Sequence, residues 1–232
     1  MKQLLEKNGL FIDDAAIVRL EKYLELLIEW NKQMDLTSVP DEEMAERHFV
    51  DSLLPLTIEN LFPESCTLID VGTGAGFPGL VLAAIRPDMQ VTLLEAQQKR
   101  CTFLKAVCDA LQLKNVTIIH DRAETLGRND AHREMYIRAV ARAVAPMNVL
   151  CEYLLPFVQP GGMAVCWKGP QVEQEKPDGN AAARKLGGGD ILIMPVQQGG
   201  HVVACVEKTE KTLPQYPRKN GIPTKRPLKA DK

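Results

Sequence analysis

The sequence predicts an α/β fold: a mostly parallel, seven-stranded sheet with a terminal antiparallel hairpin, preceded by an N-terminal helical cap. Three observations predict it. From residue 67 onward, short runs rich in β-branched residues alternate with stretches of helical spacing, the pattern of strands joined by crossover helices. A glycine cluster, DVGTGAGFPG at 70–79, lies between the first such strand and the first such helix. The first 65 residues carry helical periodicity and no strand signal.

Residues 13–33 place Ile17, Leu20, Leu24 and Leu27 on one helical stripe, with Asp13 or Asp14 positioned to cap its start. A second helical stretch runs from Asp41 towards Asn60 and is broken near Pro55. Strand 67–71 then leads through the glycine loop into helix 78–86. Strand 90–95 leads to helix 98–112, where Phe103, Leu104, Val107, Cys108 and Leu111 share a face. Strand 115–120 is followed by a short turn at 121–127. Strand 135–142 feeds a helix over 147–157, and strand 163–168 follows the turn signal Pro160-Gly161-Gly162. A weak helix is expected at 180–186. Strands at 190–196 and 201–207 have only Gln197-Gln198-Gly199-Gly200 between them, too short for anything but an antiparallel hairpin. The chain therefore divides into a cap (1–65), a core (66–212) and a proline-rich, basic tail (213–232), expected to be extended rather than folded.

The 232 residues are 45% hydrophobic and 25% charged, ordinary for a globular chain, and the net charge is −2. The balance is uneven. Residues 1–65 carry six Lys/Arg against fourteen Asp/Glu, whereas 218–232 carry six Lys/Arg and one Asp. A basic tail on a mildly acidic body suits a phosphate backbone. No run approaches the roughly 18 apolar residues of a membrane span, and the N-terminus lacks the apolar stretch of a signal peptide. The expectation is a soluble, cytoplasmic monomer with no membrane partner. Six cysteines, none in a CxxC pair, read as reduced core residues. His120, His132 and His201 lack ligand spacing, so no metal is expected.

Three ligand classes use a glycine loop after a strand. A Walker loop needs GxxxxGK[ST], but Leu80-Val81 stand where Lys and Ser/Thr belong. A dinucleotide loop needs GxGxxG, and Phe77 occupies its third glycine position. The remaining pattern is acid-x-Gly-x-Gly-x-Gly, read here as Asp70, Gly72, Gly74 and Gly76. The glycines let the backbone pass close beneath a ligand. A carboxylate beside them suits a ligand ammonium. Glu95 ends the second strand and can accept bonds from ribose hydroxyls. Asp121-Arg122-Ala123-Glu124 follows the third strand and can meet an adenine. All lie at carboxyl ends of strands, where open α/β sheets bind ligands. The ligand with an ammonium, a ribose and an adenine is S-adenosylmethionine, leaving S-adenosylhomocysteine as product. The fold class is accordingly a Rossmann-like, class I S-adenosylmethionine-dependent methyltransferase.

The fourth strand ends in Arg138-Ala139-Val140-Ala141-Arg142. Arg142 points to the rim, where its guanidinium can hold a phosphate, stack on a base or pair with a carboxylate. No Pro-Pro or Pro-Cys pair occurs, so the signatures of exocyclic-amine and cytosine carbon-5 methylation are missing. Arg47-His48 lies on the cap and faces the rim if the cap folds over the ligand; otherwise His48 packs a helix end.

Over nearly its whole length the chain resembles the RsmG family, also called GidB, of bacterial small-subunit ribosomal RNA methyltransferases. The likeness rests on Trp30-Asn31 with Leu36-Thr37, Arg47-His48 with Asp51-Ser52, DVGTGAGFPG, Leu94-Glu95, Ala141-Arg142-Ala143-Val144, Lys168-Gly169 and YPRKNGIP. The resemblance implies a cofactor site of Gly72, Gly74, Phe77, Glu95, Ala123, Glu124 and Arg142, and an acceptor guanosine, methylated at nitrogen 7, in 16S RNA or the small subunit. Two positions depart from the pattern: Ile137-Arg138 follow Tyr136 where the family commonly has Asp, and Asp35 stands where Asn is frequent. Nitrogen 7 of guanine has a free lone pair, so no general base is required; Arg142 and His48 are expected to align the base. RNA contact is expected from Tyr216, Arg218, Lys219, Lys225, Arg226 and Lys229 in the tail, with Lys168 near the rim. Two alternatives remain: a nicotinamide-dependent dehydrogenase, or a catalytically impaired RNA-binding relative.

Overall fold

The structure is a computed structural model that describes residues 1–142, 145–196 and 201–230. Ala143-Val144 and the 197–200 connection, both used above, lie outside the described residues.

Seven strands form one sheet in the order β3-β2-β1-β4-β5-β7-β6. They are β1 (Thr67–Val71), β2 (Gln90–Glu95), β3 (Val116–His120), β4 (Tyr136–Arg142), β5 (Val158–Lys168), β6 (Leu192–Pro195) and β7 (Val202–Glu207). The first five run parallel, and β7 is antiparallel to both of its neighbours. The chain winds outward from β1 to β3 and then returns to place β4 on the other side of β1. That reversal leaves a crevice beyond the carboxyl ends of β1 and β4, where open sheets of this kind take ligands.

Alternation along the strands builds two cores. Val140 and Val165 point to one face, while Ala139, Ala141, Ala164 and Cys166 point to the other, as a period of two requires. The first face is covered by α5 (Gly79–Ile85), α6 (Gln98–Ala110) and the cap, the second by α7 (Ala123–Leu126), α8 (Met147–Leu154) and α9 (Lys176–Lys185). All six cysteines are free and buried. None of the described helices is long and apolar enough to cross a membrane.

The regular elements of the cap are all helical. Its α1 (Lys2–Lys7) was not foreseen in the sequence. The Asp13 carboxylate accepts from Ala16 N and caps α2 (Asp14–Met34), which buries Ile17, Leu20, Tyr23 and Leu27. The second stretch is a broken run: α3 (Asp41–Met44), a π-helical turn (Ala45–Val50), α4 (Asp51–Leu53) and a 3₁₀ turn containing Pro55. The π turn carries Arg47 and His48, and such turns frequently mark functional positions.

Three expectations need correction. Pro160-Gly161-Gly162 does not precede β5 but lies within it: Gly161 N donates to the Lys208 carbonyl, and Gly161 takes φ +83°. The weak helix is longer than expected. Pro177 falls in the first turn of α9, where a missing N–H costs nothing, and Gly179 lets Ile191 pack against the helix. The tail is not free. Its residues 213–230 cross α7, α8 and α9 and include a short helix, α10 (Ile222–Lys225). The Arg218 guanidinium lies on the fully buried Glu152 carboxylate of α8, with Nη2–Oε2 at 2.6 Å and Nε–Oε1 at 2.9 Å. Asn148 Nδ2 donates to the Leu228 carbonyl, and the Asp178 carboxylate accepts from Ala230 N.

Candidate functional site

The loop after β1 is folded by its own hydrogen bonds. Gly72 N and Thr73 N donate to the Leu94 carbonyl, and Gly76 N and Phe77 N to the Thr73 carbonyl. Gly76 has φ +100°, and a Cβ there would overlap the Tyr23 hydroxyl, which donates to the Ala75 carbonyl. Any other residue at 76 meets both a strained backbone and a clash.

Asp70 does not face a ligand ammonium. Its side chain is fully buried and lines neither cavity described below; Oδ2 accepts from Thr73 Oγ1 and from Gly79 N, each at 2.7 Å. It braces the loop from beneath. Burial raises its carboxyl to about 6, and Oδ1 has no partner among the described residues.

Above the loop lies a cavity of about 400 Å³, lined by Gly72, Thr73, Gly74, Phe77, Glu95 and Arg100 from the core and by Leu36, Thr37 and His48 from the cap. Glu95 is nearly buried. Its Oε2 accepts from Gly74 N (2.9 Å) and its Oε1 from Gln97 N (2.8 Å). Each oxygen keeps a lone pair for a further donor, so the carboxylate is both fixed and able to take ribose hydroxyls. A Cβ at Gly74 would meet nothing closer than Arg100 at 3.9 Å, so the floor is open. The cavity and donor set fit a nucleoside with a sugar over Glu95.

A second cavity, of about 840 Å³, adjoins the first. It is lined among others by Arg47, Asp51, Trp167, Lys168, Gln171 and His201. The two cavities share His48 and Arg142. That wall is rigid. Arg142 Nη1 lies 2.8 Å from Asp51 Oδ2, and its Nη2 lies 3.0 Å from His48 Nδ1. Its guanidinium carbon sits 4.9 Å above the Phe77 ring. Phe77 is sandwiched between His48 (centroids 4.5 Å) and Tyr23 (5.6 Å). The other Asp51 oxygen meets His201 Nδ1 at 2.8 Å, and the Asp51 carbonyl accepts from Trp167 Nε1. Burial, with Arg142 and Arg47 beside it, pushes His48 down to about 4, so its imidazole is neutral.

The remaining expected residues separate. Ala123 and Glu124 line neither cavity; the Glu124 carboxylate turns inward and accepts from Gly221 N of the tail at 2.8 Å. Lys168 lines the larger cavity, with its ammonium 2.8 Å from Glu175. Lys219, Lys225, Arg226 and Lys229 are exposed, Tyr216 is half-buried, and Arg218 is spent on Glu152. The departure at Ile137-Arg138 lies at the start of β4, paired with Leu68, at the end of the sheet away from both cavities. Arg138 there donates to the Leu61 carbonyl. Asp51 was named in the sequence only by resemblance. Trp167 and His201 carried no signal, because nothing local in the chain shows that they meet the cap.

The chain is 43% identical over 234 residues to the ribosomal RNA small subunit methyltransferase G of Alkaliphilus metalliredigens, covering 99% of this chain and 98% of that one. It is 44% identical to the protein of the same name from Leuconostoc citreum, covering 97% and 96%. Among solved structures it is similar to a predicted O-methyltransferase from Agrobacterium tumefaciens (TM-score 0.53, 19% identity, 69% of this chain and 81% of that one). It is also similar to M. jannaschii TYW2 in complex with AdoMet (TM-score 0.50, 19% identity, 63% and 71%). These two likenesses show the fold alone, one shared with methyltransferases. A family model described as rRNA small subunit methyltransferase G matches residues 16–201, and with the relatives above it shows that the chain belongs to the GidB family.

Proposed function

We propose that the protein transfers a methyl group from S-adenosylmethionine to nitrogen 7 of a guanosine in the 16S RNA of the small ribosomal subunit. The observation that carries the proposal is the shared wall. A small cavity with a fixed carboxylate opens beside a larger one lined by Trp167 and by both cationic and acidic side chains, and only His48 and Arg142 line both. Family membership supports a methyl transfer to ribosomal RNA. The chemistry of the wall supports the nitrogen.

When bound, S-adenosylmethionine supplies an electrophilic methyl on a sulfonium. Gly72, Gly74, Phe77 and Glu95 would hold it, with Glu95 on the sugar. Nothing on the wall is free to act as a base. Arg142 cannot lose a proton, and the one lone pair of neutral His48 is occupied by Arg142. An exocyclic amine or a hydroxyl acceptor would need a proton removed; guanine nitrogen 7 does not. The wall therefore works by alignment and by excluding water between the two cavities. Positive charge develops on the base during transfer, and the Asp51 carboxylate in the larger cavity stabilises it. Trp167 offers an aromatic edge and Lys168 a cation to the incoming nucleotide. The exposed tail cations Lys219, Lys225 and Arg226 extend the surface available to RNA phosphates.

The test is transfer of labelled methyl to small subunits, and to naked 16S RNA, from cells lacking the protein, followed by mass mapping of the nucleotide. A single 7-methylguanosine is expected. Label on an amine, a ribose or no RNA at all contradicts the proposal.

A further inference from the structure

The direction of every hydrogen bond along the shared wall is fixed by Arg142. A guanidinium only donates, so the 3.0 Å contact from Arg142 Nη2 makes His48 Nδ1 an acceptor. The imidazole is neutral, so its one proton sits on Nε2. That nitrogen lies 2.7 Å from Thr37 Oγ1 and donates to it. Val39 N donates to the same oxygen at 3.1 Å. Both lone pairs of the Thr37 hydroxyl are then used, and its own proton remains. Among the described residues no acceptor receives that proton, and Thr37 lines the smaller cavity. Thr37 is itself held in place by its backbone N–H on Asn31 Oδ1 (2.9 Å).

Of the other donors around the cavity, the loop amides below and Arg142 are committed, while the Arg100 guanidinium stands 3.8 Å from Glu95, beside the carboxylate assigned to the sugar. The amides of Gly72, Thr73 and Gly76 bond within the loop or to Leu94, and that of Gly74 bonds to Glu95. Arg142 is occupied by Asp51, His48 and cap carbonyls. Glu95, an acceptor, takes the hydroxyl donors of the sugar. Thr37 belongs instead to the part of the cavity walled by His48, next to the acceptor side, where the sulfonium must lie for the methyl to pass. The hydrogen-bond acceptor carried on that sulfonium's amino-acid arm is its α-carboxylate.

We propose that Thr37 is a cofactor-binding residue whose hydroxyl, polarised in one direction by the Arg142–His48 pair, donates to the α-carboxylate of the amino-acid arm in the smaller cavity. This rests on the proposed methyltransferase reading. The hydroxyl reads the arm and not the nucleoside. Arg142 and His48 are positioning residues for it, in addition to their place on the wall.

The test is calorimetric binding of S-adenosylhomocysteine and of 5′-methylthioadenosine, which lacks the arm, to wild type, Thr37→Val and Thr37→Ser. A hydrogen bond to a charged group sets the expected size: Thr37→Val weakens S-adenosylhomocysteine about tenfold or more and methylthioadenosine less than about threefold. Thr37→Ser, which keeps the hydroxyl, restores S-adenosylhomocysteine binding. Valine also leaves His48 Nε2–H and Val39 N–H without an acceptor, and the methylthioadenosine arm of the test detects that general loosening. Equal loss for both ligands, or no loss for either, overturns the role of Thr37 while leaving the methyltransferase reading intact. A wild-type protein that binds neither ligand overturns that reading as well.

Discussion

Arg142 and His48 approach each other from different parts of the chain, the end of β4 and a π-helical turn of the cap, and meet Nη2 to Nδ1 at 3.0 Å. The pair sits on the only wall common to the two described cavities. It fixes the histidine tautomer, removes the histidine as a base and joins the cap to the sheet.

Replacing His48 is expected to slow methyl transfer without abolishing it. With no proton to abstract, His48→Ala loses alignment and the stack on Phe77, a loss of about 10- to 100-fold in single-turnover rate at saturating cofactor. His48→Gln keeps polar groups there and is expected to lose less. A complete loss by His48→Ala with intact cofactor binding contradicts the alignment role.

His48 also gives a pH signature. Its folded value is about 4, below the 6.5 of the unfolded chain, so the unfolded state binds more protons between these values. The neutral imidazole's contribution is fully present above about pH 6.5 and is lost as pH falls towards 4, on the order of 3 kcal/mol at its limit. His48→Gln removes this titration. The stability of wild type relative to that variant, from urea denaturation, should fall steadily from pH 6.5 to 4 and stay flat from 6.5 to 8.

The tail anchor is a stability element. Glu152 is fully buried, and Arg218 is its cationic partner in the structure. Arg218→Ala leaves an uncompensated buried carboxylate and should cost about 3–5 kcal/mol. Glu152→Leu with Arg218→Met should recover most of that in denaturation experiments. By contrast, Lys219→Ala, Lys225→Ala and Arg226→Ala change exposed cations. They should leave stability unchanged, weaken RNA binding and flatten its salt dependence.

Gly76→Ala tests the loop. The added methyl overlaps the Tyr23 hydroxyl at φ +100°, and affinity for S-adenosylhomocysteine should fall by about 100-fold or more, the scale of a strained backbone plus a clash. The double variant Gly76→Ala, Tyr23→Phe removes the hydroxyl but neither the strain nor the 2.9 Å approach to Leu80 Cβ, and should recover affinity only in part.

How much of this the sequence carries depends on how local each feature is. The strands, the α2 stripe and the glycine loop declare themselves through spacing and conformational preference. Glu95 could be placed because the ends of parallel strands share a rim. Asp70 was read as a ligand contact since a carboxylate beside glycines looks exposed; only the packing of Gly79 against it shows that it lies beneath the loop. Arg218 was read as an RNA contact because its charge is visible in the tail, while the buried Glu152 that claims it is 66 residues away. Glu124 was placed in the cofactor site, and its turn towards Gly221 depends on a tail that the proline content suggested would be extended. The network of Asp51, Trp167 and His201 joins the cap, β5 and the residue preceding β7, and no spacing in the chain reports contacts over such separations.

The most direct measurement is a crystal structure with S-adenosylhomocysteine and guanosine monophosphate bound together. The expected result is the homocysteine nucleoside over Gly74 with its ribose on Glu95, and guanine in the Trp167–Lys168 cavity with nitrogen 7 turned to the His48–Arg142 wall. The homocysteine nucleoside in the larger cavity, or a guanine that presents its exocyclic amine to that wall, would contradict the division of the site into donor and acceptor cavities.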